Sequence, residues 1–110
     1  MKLVLDIETT VTNKSPSPYK PDNYIVCVGV MPIDEPDKKK VIWFNHDELP
    51  NIDIKKSYKE LQDILDKTTL LIAHNIKFDL SWLRECGLKY DGKLWDTMIV
   101  EYLYARGQKI

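Results

Sequence analysis

The sequence predicts an α/β domain built on a mixed sheet, with three antiparallel strands followed by strands and helices in alternation. Three observations carry that prediction. Residues 2–9 alternate, with Leu3, Leu5 and Ile7 on one face and Val4, Asp6 and Glu8 on the other. Residues 24–31 (YIVCVGVM) are nearly all apolar, and a polar stretch at 32–40 separates them from a further strand-like run at 41–45. Beyond residue 56, apolar side chains recur at helical spacing in three segments, parted by the short apolar runs 70–73 and 94–95.

Taken in order, residues 2–9 form a first strand that is expected near the sheet centre, because it is short, apolar and ends in two acids. Residues 12–23 hold Pro16, Pro18 and Pro21 among Ser, Asn and Lys and form a loop. The run 24–31 reads as a central strand buried on both faces. Residues 49–54 form an irregular connection. Ser57-Tyr58-Lys59-Glu60 has the pattern of a capping box, in which the serine hydroxyl and the glutamate each satisfy an orphan amide at a helix start. Leu61, Ile64 and Leu65 supply that helix's apolar stripe. After the strand at 70–73, a second helix spans about 77–86, and Gly87 suits its C-terminal stop. Asp96 then stands where an N-cap opens a third helix, with Met98, Ile99, Tyr102 and Leu103 on its apolar side.

Composition narrows the setting. A chain of 110 residues builds one domain, residues 1–110, and its 44% hydrophobic and 30% charged content is that of an ordinary globular protein. The formal charge of −1 leaves no global basic footprint, so any nucleic-acid contact is local or is bridged by cations that acidic residues recruit. Cys27 and Cys86 lack a metal-ligand spacing and read as reduced, buried, small apolar residues. No apolar run reaches the roughly 20 residues that span a bilayer, and no leader precedes the first strand, so a cytoplasmic location and no membrane partner are expected.

The chemistry lies in two segments. Asp6 and Glu8 are two apart on a strand, so both carboxylates leave the same face. Crowded carboxylates repel unless neutralised, and oxygen donors select hard divalent ions such as Mg²⁺ or Mn²⁺. An isolated DxE at a strand end is more often a pair of solvated acids. The second segment, Ala73-His74-Asn75-Ile76-Lys77-Phe78-Asp79, leaves a buried strand and opens a helix, placing Asp79 in the first turn where it can point back toward the first strand. Asn75 as N-cap and Asp79 as an acid favoured by the helix dipole is the structural reading of the same residues.

Leu5-Asp6-Ile7-Glu8-Thr9-Thr10 resembles the first motif of the DEDD 3′→5′ exonucleases, and His74-Asn75-Ile76-Lys77-Phe78-Asp79 resembles their second motif in the version found in proofreading domains of family A DNA polymerases. Trp95-Asp96-Thr97 is similar to a further Asp-Thr pair of that family, which opens a helix and is not a metal ligand. The resemblance implies a ribonuclease-H-like fold. It implies that Asp6, Glu8 and Asp79 are catalytic and ligate a pair of Mg²⁺ or Mn²⁺ ions, and that nucleoside 5′-monophosphates are removed from the single-stranded 3′ end of DNA, with RNA as an alternative substrate. It also implies substrate contacts from Thr9 and Asn75, with Lys77 near a phosphate and Phe78 facing a base. A helix-start Phe is more often core, and Lys77 suits solvent equally well. His74 reads as structural and His46 as a surface residue.

The sequence departs from that family in one respect. The fourth acid is expected from a later Tyr-x-x-x-Asp or His-x-x-x-Asp motif, yet Tyr90, Tyr102 and Tyr104 are followed four places on by Leu94, Arg106 and Gln108. Asp91 falls in a loop and Asp96 is taken up as a cap. The expectation is therefore a C-terminally incomplete exonuclease domain, weak or inactive alone, whose missing exonuclease or polymerase portion is supplied in cis or in trans. A non-catalytic remnant that binds nucleic acid and an RNA exonuclease of the same superfamily are the alternatives.

Overall fold

Strand β1 (Lys2–Thr9) takes the centre of a five-stranded sheet in the order β3-β2-β1-β4-β5. The computed structural model describes residues 1–10, 23–45 and 51–108, which cover β2 (Ile25–Pro32), β3 (Lys40–Trp43), α1 (Ile54–Asp66), β4 (Leu70–Ala73), α2 (Ile76–Glu85), β5 (Lys93–Asp96) and α3 (Thr97–Gln108). The proline-bearing loop expected at 12–23, all but its last residue, lies outside the described residues, as do His46 and the start of the 49–54 connection. So does the side chain of Tyr102. β1 pairs antiparallel with β2, and β2 with β3, while β4 joins β1 and β5 in parallel. The predicted mixed α/β architecture is thus present, with three strands in a meander and then alternation with helices.

The core lies on one side of the sheet. Leu3, Leu5 and Ile7 of β1, Val28 and Val30 of β2, Ile42 of β3 and Leu71 and Ala73 of β4 face it from the strands. Leu61 and Leu65 of α1 and Leu80, Trp82 and Leu83 of α2 close it from the helices. Burying each Leu side chain contributes roughly 1.5–3 kcal/mol, so this layer is the main source of stability. α2 ends as its sequence predicts. Gly87 has φ 81°, a left-handed conformation that needs no Cβ, and the amides of Gly87 and Leu88 return to the carbonyls of Arg84 and Leu83 at 3.0 and 2.8 Å.

Two expectations are corrected. The first is the burial of β2 on both faces. Cys27, Gly29 and Met31 are only half-buried, because both packed helices lie on the other side of the sheet. On that open side a groove of about 460 Å³ is lined by Val4, Asp6, Gly29, Met31, Val41 and Lys40. No described residue of α3 enters the core, and Met98, Ile99, Val100, Leu103 and Tyr104 are all exposed.

The second correction is the capping box. α1 begins earlier, at Ile54, and its cap is Asp53, whose carboxylate accepts from the Lys56 amide at 3.2 Å. Ser57 instead sits inside the first turn and donates to the Trp43 carbonyl at 2.7 Å, which ties α1 to the end of β3. Glu60 is spent on an ion pair with Lys40 at 2.9 Å. The competing cap was nearer the helix start and the serine had a tertiary acceptor, so the box never closed.

Candidate functional site

β1 delivers Asp6 and Glu8 to the open side of the sheet, both exposed, with Ile7 buried between them. The Asp6 and Glu8 carboxyls are neighbours on this face. The pull of the Asp6 carboxyl on the Glu8 proton, then partial burial and the Asp6 charge, holds the Glu8 pKa above the ordinary carboxylate range. Directly after Glu8 the register with β2 slips, so that Glu8 faces Cys27 but Thr9 faces Ile25. Such an irregularity bends a strand end and re-aims the residues beyond it. Thr9 stays paired with β2 in the shifted register directly after the acid pair, and the Thr10 amide continues the path by donating to the Tyr24 carbonyl at 3.0 Å.

α2 brings the third acid. The β1–β4 ladder stops at the Val4–Ile72 pair, and past it the Ile7 backbone amide hydrogen-bonds the Asp79 carboxylate. Asp79 is only 3% exposed. Burial first, then the charges of Asp6, Asp96 and Glu8, push its pKa up to about 7, and the Ile7 amide offsets only part of that rise. Among the described residues the ion pairs are Lys38–Glu35, Lys40–Glu60 and Lys59–Asp63, so no cation of the chain is paired with Asp6, Glu8 or Asp79 there.

The turn that precedes α2 is fixed from a distance. Asn75 has φ 65° and ψ 64°, the one non-glycine residue with positive φ among the described residues, and its side chain does not cap the helix. The cap expected of Asn75 is provided by Asp96 instead. Its carboxylate accepts from the Asn75 amide at 2.9 Å and the Ile76 amide at 3.1 Å. It also accepts from the Met98 amide at 2.9 Å, which is the cap of α3 that the sequence predicts. Partial desolvation acts to raise the Asp96 pKa, but the amides of Asn75, Ile76, Met98 and Ile99 outweigh it and hold the group below 3.8. Beside this clamp, His74 Nδ1 lies 3.0 Å from Thr97 Oγ1, in keeping with a structural histidine.

The remaining predicted residues divide. Asn75 and Lys77 are exposed on either side of the buried Ile76 at the start of α2, four and two residues before Asp79 as the sequence places them. Phe78 is partly buried against the core, its ring 6.5 Å from that of Trp82 at 66°. Cys27 stands across from Glu8, and its thiol pKa is raised by burial and then by the Glu8 and Asp6 charges. The sequence reading missed the second use of Asp96, since its partners at 75 and 76 carry no side-chain signature of the contact. It also missed the neighbourhood of Cys27.

A divalent cation fits the donor set in chemistry. Asp6, Glu8 and Asp79 offer hard oxygens, are paired with no cation among the described residues, and include two carboxyls, Glu8 and Asp79, whose ionisation the site itself resists. Among the described residues, however, no three His, Cys, Asp or Glu side chains converge closely enough to form a ready-made metal cage.

Comparison with known proteins points in one direction. No protein-family profile matches the sequence. Over 53 residues, 46% of this chain, it is 40% identical to a DNA polymerase of Bacillus phage SP01. The fold is similar to part of the family B DNA polymerase from the hyperthermophilic archaeon Pyrobaculum calidifontis, with a TM-score of 0.57 and 20% identity over 78% of this chain. Both similarities are to DNA polymerases. The chain spans 6% of the length of the phage protein and 11% of the archaeal one. At 20% identity the structural likeness shows the fold alone.

Proposed function

We propose that this chain forms the metal-binding part of a 3′→5′ exonuclease domain of a DNA polymerase, with Asp6, Glu8 and Asp79 as its acids. One observation carries the reading: the Asp79 carboxylate is buried against the Ile7 amide, between the two residues that present Asp6 and Glu8. The sheet order β3-β2-β1-β4-β5 with the acids at the end of the central strand suits a ribonuclease-H-like domain, and the similarity to polymerases suits a proofreading role. The second-motif wording at residues 74–79 favours the family A branch. The archaeal structure is a family B enzyme, and a likeness in fold does not choose between the two.

Asp6, Glu8 and Asp79 would hold Mg²⁺ or Mn²⁺. Bound there, the ions would supply an activated water and neutralise charge on the phosphodiester under attack. The chain's own contribution is placement. β1 fixes the spacing of Asp6 and Glu8, the Ile7 amide meets Asp79, and the register slip after Glu8 sets the path of the Thr9 backbone directly after the acid pair. Asn75, exposed at the α2 start, would meet the backbone of a single-stranded 3′ end. No Tyr or His of the sequence is followed four places on by Asp after residue 79, so the fourth acid of such a site is not in this sequence. Little hydrolysis is expected without it.

The absence of a ready-made cage among the described residues favours a second reading, a domain that holds single-stranded ends without cutting them. End-labelled single-stranded DNA and RNA, incubated with the chain and Mn²⁺, separate the readings. Slow release of nucleoside 5′-monophosphates that Asp6→Ala abolishes supports the exonuclease. Binding by fluorescence anisotropy with no release, unchanged in Asp6→Ala, supports the binding module. Cleavage at ordinary enzymatic rates that survives Asp6→Ala would sink the assignment of the acids.

A further inference from the structure

We infer that Asp96 is a positioning residue: its carboxylate, shared between the starts of two helices, sets the left-handed turn at Asn75 and through it the placement of Asp79 against β1. The inference rests on the reading of Asp6, Glu8 and Asp79 as one site. Three observations carry it. First, the Asp96 carboxylate accepts from Asn75 and Ile76 on one side and from Met98 on the other, at 2.9, 3.1 and 2.9 Å. An ordinary N-cap serves one helix, whereas this one joins α2 and α3 through a single side chain. Second, Asn75 adopts φ 65° without any side-chain cap of its own, so the strained turn is held by what Asp96 does to its amide. Third, Asp96 lies in β5 in register with Ala73, the last residue of β4, so the sheet itself places the carboxylate under the turn. Thr97 reinforces the arrangement, with its hydroxyl 3.0 Å from His74 Nδ1 and 3.4 Å from the Ala73 carbonyl.

The consequence is geometric. Asp79 reaches the Ile7 amide only if α2 starts at Ile76 and leaves β4 at the angle the Asn75 turn imposes. With the clamp removed, the first turn of α2 loses two of its amide acceptors at once, and Asn75 can relax toward ordinary backbone angles. Asp79 then rotates or withdraws, while Asp6 and Glu8 stay fixed by β1.

The test uses amide hydrogen exchange and Mn²⁺ binding on the full 110-residue chain. Asp96→Ala is compared with Asp96→Asn, which keeps one acceptor oxygen, and with Leu65→Ala in α1 as a destabilised control. The expected result is at least tenfold faster exchange at Asn75, Ile76 and Ile7 in Asp96→Ala, with the Val28 amide of β2 unaffected. Asp96→Asn should restore most of the protection, and Leu65→Ala should leave the Ile7-to-Val28 ratio unchanged. Mn²⁺ affinity should fall about tenfold in Asp96→Ala and no more than threefold in Asp96→Asn. Unchanged Ile7 protection in Asp96→Ala overturns the positioning role, as does equal loss at Ile7 and Val28. If the unmodified chain binds no Mn²⁺, the metal reading fails, and the exchange pattern still decides whether Asp96 places Asp79.

Discussion

The Asp79 carboxylate accepts a hydrogen bond from the backbone amide of Ile7, the residue between Asp6 and Glu8. One amide thus joins the first turn of α2 to the strand that presents the other two acids. The contact is bought with burial. Asp79 is 3% exposed, and its carboxyl is pushed up to about 7 by that burial and by the neighbouring charges of Asp6, Asp96 and Glu8. A folded domain rarely keeps an unneutralised acid in such a place for stability alone, and perturbed acids in company mark functional sites.

Stability should therefore fall as the pH rises toward 8. An unfolded Asp titrates near 3.8 and the folded Asp79 near 7, so between these values the folded chain holds a proton that the unfolded chain releases. The favourable contribution of protonated Asp79 is fully present below about 4 and is lost as the pH passes through about 7. Asp96 runs the other way: its pKa is lowered, so its contribution is lost only as the pH falls below the ordinary carboxylate range. Unfolding free energies from urea titrations between pH 5 and pH 8 should decline by an amount on the order of a few kcal/mol, and the urea midpoints with them. Asp79→Asn should flatten that slope and raise the midpoint at pH 8. A slope identical in the variant would exclude Asp79 as its source.

Divalent cations should reverse the loss. An ion that binds the folded chain and not the unfolded one stabilises it by about 1.4 kcal/mol at ten times its Kd. Melting temperatures at pH 8 should rise with Mn²⁺ and, less steeply, with Mg²⁺. Asp6→Asn and Asp79→Asn should each remove most of the rise. An equal rise in the variants would assign the effect to scattered surface acids.

How much of this was legible in the sequence depends on how local the cause was. The two faces of β1 were legible because alternation is a property of the strand itself, and so was the stop at Gly87, where one residue type suits one backbone conformation. The start of α1 was not, because Asp53 and Ser57 both suit a cap and the choice depended on the Trp43 carbonyl, a tertiary partner. The second task of Asp96 was hidden for the same reason, since its acceptor sites meet backbone amides of another element. The openness of β2 was hidden too: an apolar run such as YIVCVGVM shows that burial is wanted and not whether a second layer is at hand.

The corrected helix start has its own test. Asp53→Ala should cost about 1 kcal/mol, the usual loss of a helix cap. Ser57→Ala should cost a similar amount through the lost bond to the Trp43 carbonyl, which anchors α1 to β3. Glu60→Ala removes only an exposed ion pair with Lys40 and should fall within about 0.5 kcal/mol of the parent. Urea unfolding of the three variants checks the ranking. A closed capping box would instead make Glu60 as costly as Ser57.

The open side of the sheet should make the chain associate. Val41 and Trp95 lie on that side at 50% exposure each, and Leu103 of α3 stands at 61%. Together with the groove over Val4, Gly29 and Met31 they expose large apolar side chains on the sheet face and on α3 among the described residues, the kind of surface that favours association. Each half-exposed side chain that finds cover gains roughly 25 cal/mol for every Å² removed from water, so even a loose contact between copies is favourable at high concentration. Sedimentation velocity should show mass rising with concentration, and a hydrophobic dye should bind the folded chain. Replacing Val41 by Thr, uncharged because it lines the groove that Asp6 also lines, and Leu103 by Lys makes each exposed surface more polar without touching the core. The double variant should sediment as a monomer, bind less dye and keep its response to Mn²⁺. A parent chain that stays monomeric and dye-free at every concentration would mean that the two surfaces are satisfied by solvent as they stand.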